Sequence, residues 1–332
     1  MKRTMVMLMA LLVAVPAVAG PETTISGFAD AAWSWDDATR TGTFGVDQVE
    51  VDIDHTTGQR TSVSADLEWI KDGEGWTPQV EQAFMTYSAR CGWALSFGKF
   101  NAPIGCESLD PVDMFQYSHG LLFTYGTPTN LTGVKVARGL GHGLDLVLHA
   151  SNGWDRATSD DHVTGGGRLG LARGGFSGGL SAISGDQIVT GADLGEPSLR
   201  SRDVVDIDVT WTRGAWRFCG EANSGTVSQD GAADVTWDGL MLMAHVDLSP
   251  RAGFTVRLDG IDDQDGFLFG LVGGEAQARQ SWTFAPTFKL DDGLAAVIEL
   301  RVDKSDRDAF TDHDGLPTDQ AVSVAVEMTG RW

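Results

Sequence analysis

The sequence predicts an all-β chain: a transmembrane antiparallel up-and-down β-barrel of about sixteen strands, within a range of about 12 to 18. Three observations carry this reading. Apolar and polar residues alternate with period two along most of the chain. The connections between alternating segments are short and long in turn. Tryptophans gather at the two ends of the segments.

Period two is the mark of strands whose two faces meet different surroundings. "TSVSADLEWI" sets Val63, Ala65, Leu67 and Trp69 against Ser62, Ser64, Asp66 and Glu68. "VEVDID" sets Val49, Val51 and Ile53 against Glu50, Asp52 and Asp54, and "DVVDIDVTW" sets Val205, Ile207, Val209 and Trp211 against Asp206, Asp208 and Thr210. In chain order the segments are 23–35, 44–55, 60–70, 78–89, 93–100, 132–138, 143–151, 164–172, 176–184, 203–212, 215–224, 236–248, 253–261, 280–290, 294–303 and 319–332. Pro286 removes a ladder donor from its segment, so a bulge is expected there.

The short connections are "TTGQ", "RCG", "GLGH", "RGG", "RG", "SPRA" and "DDG". The long ones are 36–43, 71–77, 101–131, 152–163, 185–202, 225–235, 262–279 and 304–318. A soluble sandwich, β-helix or lectin-like fold would bury its apolar face on a second sheet and has no reason to sort loops by parity. A membrane barrel does, with tight periplasmic turns at one rim and longer extracellular loops at the other. Arg60, Arg90, Arg138, Arg173, Arg213 and Arg251 lie at the short turns, whereas acids crowd the long loops. Trp33, Trp35, Trp69 and Trp282 fall towards the loop ends of the outward faces, and Trp93, Trp211, Trp216 and Trp332 towards the turn ends. These are two interface belts.

Composition narrows the class. Met1 to Ala19 has a basic start, a short apolar run and an Ala-Val-Ala ending, which reads as a signal peptide cut before Gly20 and leaves 20–332 as one barrel domain. With 24 basic against 46 acidic residues the formal charge is −22, and −24 once Lys2 and Arg3 are removed, which argues against nucleic acid as a partner. Three cysteines, Cys91, Cys106 and Cys219, do not make a disulfide framework, and no bridge is assigned between them. No Cys or His pair has ligand spacing, so neither metal nor cofactor is assigned. "DDQDG" (Asp262–Gly266) and "TDHDG" (Thr311–Gly315) fail the full calcium-loop pattern.

One stretch carries a family resemblance. Gly98-Lys99-Phe100, Ala102-Pro103-Ile104-Gly105, Glu107, Tyr117-Ser118, Leu122-Phe123, Tyr125-Gly126, Pro128 and Thr132-Gly133-Val134 together resemble the OmpL-like β-barrel porin family of bacterial outer membranes. Phe115-Gln116 stands where an Asn-rich pair is more usual, and Cys106 where an aromatic or apolar residue is common. The resemblance implies a passive diffusion channel in a Gram-negative outer membrane. The terminal Trp332 resembles the signal that outer-membrane assembly machinery reads. Lipid and lipopolysaccharide are the implied surroundings, small hydrophilic solutes the implied cargo, and a homotrimer follows by analogy with general porins.

The residues themselves add detail. The connection 101–131 is too long to be a mere linker and is rich in aromatics, so it should pack. Folded inward it would bring Glu107, Asp110 and Asp113 to a pore constriction; folded over the mouth, or against a neighbouring protomer, it would not. The alternation assigns Glu50, Asp52, Asp54, Asp66, Glu68, Asp206, Asp208, Glu221, Asp247, Glu299 and Asp303 to the lumen, with Lys99, Lys135, Arg168, Arg217, Arg257 and Arg301 as the basic counterpart. The acidic excess points to cation preference. His149 and His245 are read as solvated lumen histidines, because no nucleophile elbow accompanies them. A non-conducting adhesive barrel and a barrel lipid hydrolase remain as rival readings.

Overall fold

The computed structural model describes residues 21–73, 75–158, 161–189, 198–228, 233–270 and 275–332. The expected leader 1–19 lies outside the described residues. The strands are β1 (Glu22–Asp36), β2 (Gly42–Thr56), β3 (Thr61–Asp72), β4 (Gly75–Ser88), β5 (Trp93–Asn101), β6 (Asn130–Gly141), β7 (Leu144–Ser151), β8 (Thr164–Arg173) and β9 (Phe176–Val189). They continue with β10 (Ser198–Arg213), β11 (Trp216–Val227), β12 (Val235–Ser249), β13 (Ala252–Asp263), β14 (Gln277–Asp291), β15 (Leu294–Ser305), a two-residue pair β16 (Phe310–Thr311) and β17 (Pro317–Thr318), and β18 (Gln320–Arg331).

Sixteen of these, β1 to β15 and β18, close into a single antiparallel barrel, each paired with its neighbours in the chain, while β16 and β17 pair only with each other in the last loop. Closure is made by β1 against β18, from Phe28 opposite Arg331 to Asp36 opposite Ser323. The backbone N–H of Trp332 extends it by donating to the carbonyl of Gly27 at 3.1 Å. Gly27 must stay small, because a Cβ there would stand 2.2 Å from the Glu50 carbonyl and 2.7 Å from the Trp332 ring. At the β6–β7 turn His142 (φ 56°) and Gly143 (φ 87°) both take positive φ, the type I′ geometry that suits a two-residue hairpin.

Burial runs opposite to that of a soluble protein. On β10 the apolar Val205 and Ile207 are each 54% exposed, while Asp206 is 1% and Asp208 4% exposed. In water each such apolar side chain would forgo about 1.5–3 kcal/mol of burial. Against hydrocarbon the same face is favourable, and the polar face turns into the ring. Trp33, Trp35, Trp69, Trp93, Trp211, Trp216 and Trp282 stand on the outward parity. Trp211 and Trp216 both stack on Phe218.

Three expectations need correction. The connection 71–77 is almost consumed by strand, since β3 runs to Asp72 and β4 restarts at Gly75 with those two residues paired. Pro286 makes no bulge: it pairs with Phe254, and the β14–β15 register is the same on either side of it. The bulges lie elsewhere, at Asp30/Ala31, Asp66/Leu67, Gly139/Gly141, Asp247/Ser249 and Lys289/Asp291. Lys99 is not on the inward face. Alternation along β5 sets it with Leu95 and Phe97, and its Nζ donates to the carbonyl of Val80, while Ser96, Gly98 and Phe100 point inward.

The interior is also less polar than alternation alone implies. Near the long-loop rim, inward-facing Phe100, Leu131, Val204, Val227, Trp237 and Ile261 form a buried apolar cluster with Phe267 and Phe269 of the β13–β14 connection. Gly225 makes room for it, since a Cβ there would lie 1.9 Å from the Trp237 ring. The outward face is testable at its middle. Ile207→Arg should lower the folded fraction recovered in lipid vesicles, by about 2–4 kcal/mol for a cation at mid-membrane; a wild-type folded fraction would contradict this orientation.

Candidate functional site

The connection between β5 and β6, residues 102–129, is the element that shapes the interior. It leaves the long-loop rim at Asn101 and descends along the inner wall. Arg331, at the opposite rim, donates from Nη2 to Asp113 Oδ1 at 2.7 Å and also to the Val112 carbonyl. The segment then returns through one helical turn, Leu122–Gly126, to Asn130. It therefore spans nearly the full height of the barrel on the inside.

Buried carboxylates of the wall hold it by its own backbone amides. Gly105 donates to Asp206 at 3.4 Å and Cys106 to Glu221 at 2.8 Å. Tyr117 and Ser118 donate to one oxygen of Glu299, at 2.9 and 3.1 Å, and Leu121 donates to Asp259 at 2.7 Å. Such charge-assisted bonds are about twice as strong as neutral ones. On the far side the Tyr117 hydroxyl donates to Asp47 at 2.9 Å, so the segment bridges the interior. A covalent tie adds to these. Cys106 and Cys219 of β11 form a disulfide, a pairing that spacing in the sequence did not suggest. Cys91 is exposed and free.

Arginines complete the anchorage. Arg257 reaches Glu107 at 2.7 Å, Asp259 at 3.0 Å and the Ser118 carbonyl at 2.5 Å. Arg301 donates to the His119 carbonyl at 2.7 Å and pairs with Asp303 at 2.8 Å. Removing one member of such a buried pair typically destabilises by about 3–5 kcal/mol, because the partner charge is left uncompensated. His245 is buried rather than solvated. Phe115 stacks on it at 4.1 Å, and its Nδ1 lies 2.9 Å from the Thr255 hydroxyl, which in turn donates to the Phe115 carbonyl. That chain of contacts ties down the segment. His149 is buried as well, with neither ring nitrogen partnered.

A family model described as "Putative beta-barrel porin-2, OmpL-like" matches residues 24–329. The chain belongs to this porin family. Among solved structures it is similar in fold to outer-membrane-expressed OmpT of Vibrio cholerae, with a TM-score of 0.70 at 9% identity, over 96% of this chain and 100% of that one. An anion-selective porin from Comamonas acidovorans has a TM-score of 0.70 at 11% identity, over 94% and 100%. Salmonella typhi OmpF in complex with daunomycin has a TM-score of 0.61 at 13% identity, over 94% and 98%. No curated protein matches the chain. The chain is thus an outer-membrane porin barrel, and its inner surface is where a porin's selectivity is set.

That surface is asymmetric. The segment 102–129 lies against the wall from β9 to β15, where the cations are already engaged. Arg168 forms a two-pronged pair with Asp208, Arg257 and Arg301 are bound as described, and Arg217 lies over Phe115 at 5.5 Å. Lys135 sits 4.5 Å from the Phe100 ring centre and 5.3 Å from that of Phe84. On the facing wall, β2 and β3 carry Glu50, Asp52, Asp54, Asp66 and Glu68. Asp247 lies at the turn end of β12, its side chain largely exposed beside His245.

The three acids expected at a constriction part company. Glu107 is buried, held by Arg257, Gln116 and the Gly120 amide, so it serves as an anchor. Asp113 is paired to Arg331. Asp110 is the one whose environment is set by the acidic wall. Burial, then the charges of Glu81, Asp113, Asp52 and Asp66, push its carboxyl up to about 8. Nearby His119, buried against Phe123, is held below the usual histidine range by desolvation. Glu81 has no forewarning in the sequence. Strict alternation turns it outward, but the bulge opposite Asp66/Leu67 adds a residue to β4 and delivers it to the interior.

Thiol counting tests the tie. Denatured, unreduced protein should expose one maleimide-reactive cysteine and reduced protein all three; three before reduction would remove the covalent anchor.

Proposed function

We propose that the chain forms a water-filled outer-membrane channel for passive diffusion of small hydrophilic solutes, with a preference for cations. The observation that supports this most is the imbalance of free charge. The cations of the inner wall are bound to carboxylates or stacked on aromatic rings, whereas Glu50, Asp52, Asp54, Asp66 and Glu68 of β2 and β3 form no ion pair among the described residues. Fixed charge close to a permeating ion decides which sign enters. On this reading the constriction lies between Asp110 and the part-exposed Asp52 and Asp66 of the facing wall, and the preference is opposite to that of the Comamonas porin. The channel carries out no chemistry. The proposed assembly is a homotrimer, on the analogy of the trimer form of OmpT.

The apolar cluster around Trp237 favours a second reading, a barrel that does not conduct and whose loops serve adhesion. Planar-bilayer recording separates the two. Pure protein should give open-channel current, and its reversal potential in a KCl gradient should show cation preference; silence would sink the channel, and anion preference would sink the charge assignment. The sign of the pH effect follows from Asp110. Its carboxyl is neutral below about 8 and charged above it, so cation preference should rise as pH is raised through that value. Asp110→Asn should flatten the rise. An unchanged profile in that variant would remove Asp110 from the constriction.

A further inference from the structure

Glu50, Glu68 and Glu81 come from three successive strands and meet inside the barrel. Each offers one carboxylate oxygen, and these oxygens all lie within 4.8 Å of one another. The three side chains are almost wholly buried, with residue exposures of 2%, 6% and 3%. Gln48 Nε2 bridges two of them, at 3.3 Å to Glu50 and 2.8 Å to Glu68. Glu81 Oε2 is different: it is buried and has no hydrogen-bond partner. Among the described residues none of the three forms an ion pair with lysine or arginine.

A carboxylate taken out of water must be neutralised, by a proton or by a cation. Several features favour the cation. The bulge opposite Asp66/Leu67 exists in β4 alone and places Glu81 beside its two partners. A bulge that aims a third carboxylate into a pair of them is costly unless something positive is there. Oxygen donors from carboxylates, with no sulfur or imidazole in the set, suit hard divalent ions. Ca²⁺ accepts irregular sets of carboxylate oxygens at about 2.3–2.6 Å, as three strands would offer, whereas Mg²⁺ demands a near-ideal octahedron at about 2.0–2.1 Å and gives up its waters reluctantly.

We propose that Glu50, Glu68 and Glu81 form a binding site for a single Ca²⁺ ion inside the barrel. The ion would join β2, β3 and β4 across the bulge and cancel charge on the acidic wall. Its effect on ion selectivity rests on the channel reading above; binding does not, so binding is what should be measured.

The test is calorimetric titration of CaCl₂ into the chelator-stripped barrel in detergent near neutral pH. One Ca²⁺ per chain is expected, held more tightly than Mg²⁺. Glu81→Gln keeps the shape of the side chain and should weaken binding at least about tenfold by removing one of three ligand charges. Glu50→Gln should do the same, which guards against a folding defect in either variant; the heat-resistant gel mobility of the folded barrel checks both. The external group Asp312, His313 and Asp314 is the rival location, so Asp312→Asn should leave the titration unchanged. Wild-type affinity in both glutamine variants, loss of binding in Asp312→Asn, tighter binding of Mg²⁺, or no Ca²⁺ uptake at millimolar concentration would each overturn the proposal.

Discussion

A peptide group in hydrocarbon has no water to turn to, and each one left unpaired costs several kcal/mol. Every strand must therefore have two neighbours, and the first must meet the last. The β1–β18 pairing satisfies this requirement and carries it to the Trp332 amide, bound to Gly27. The inverted burial follows. With the apolar face committed to lipid, acids and arginines have nowhere to go but the interior, where they gather around whatever occupies it.

What occupies it is a piece of the chain itself. A ring of sixteen strands is too wide for side chains to fill. The segment 102–129 takes up part of that width, and its exposed backbone amides supply donors that buried carboxylates need. Asp206, Glu221, Asp259 and Glu299 are thus structural partners first, each bound to the segment's N–H groups. This division of labour explains how one interior can hold many acids: Asp206, Glu221, Asp259 and Glu299 are taken up by the inward segment, whereas Glu50, Asp52, Asp66 and Glu68 of β2 and β3 accept no backbone amide from it among the described residues.

The strands were legible because period two is local. All sixteen segments read from alternation correspond to strands of the ring, extended mostly towards the long-loop rim. What lay beyond reach depends on events that alternation does not record. A one-residue bulge moves Glu81 from one face to the other without altering composition. Lys99, expected in the lumen, falls on the same parity as Leu95 and Phe97 and turns outward. The Trp237 cluster looks like ordinary strand sequence, and only the loops that descend onto it make it a core. The roles of Glu107 and Asp110 differ because Arg257, 150 residues downstream of Glu107, takes one of them.

The bond between Cys106 and Cys219 has a mechanical consequence. It encloses five complete strands, β6 to β10, in one covalent ring within the chain. A force drawing the barrel apart from its last strand could peel β18 and then β15 to β12 one at a time. Part-way along β11 it would meet the sulfur bridge, and the load would pass directly to Cys106 without unravelling what lies between. The enclosed strands would be shielded from tension until the bridge was reduced, so the barrel would fail in two stages, with the second gated by the redox state of its surroundings.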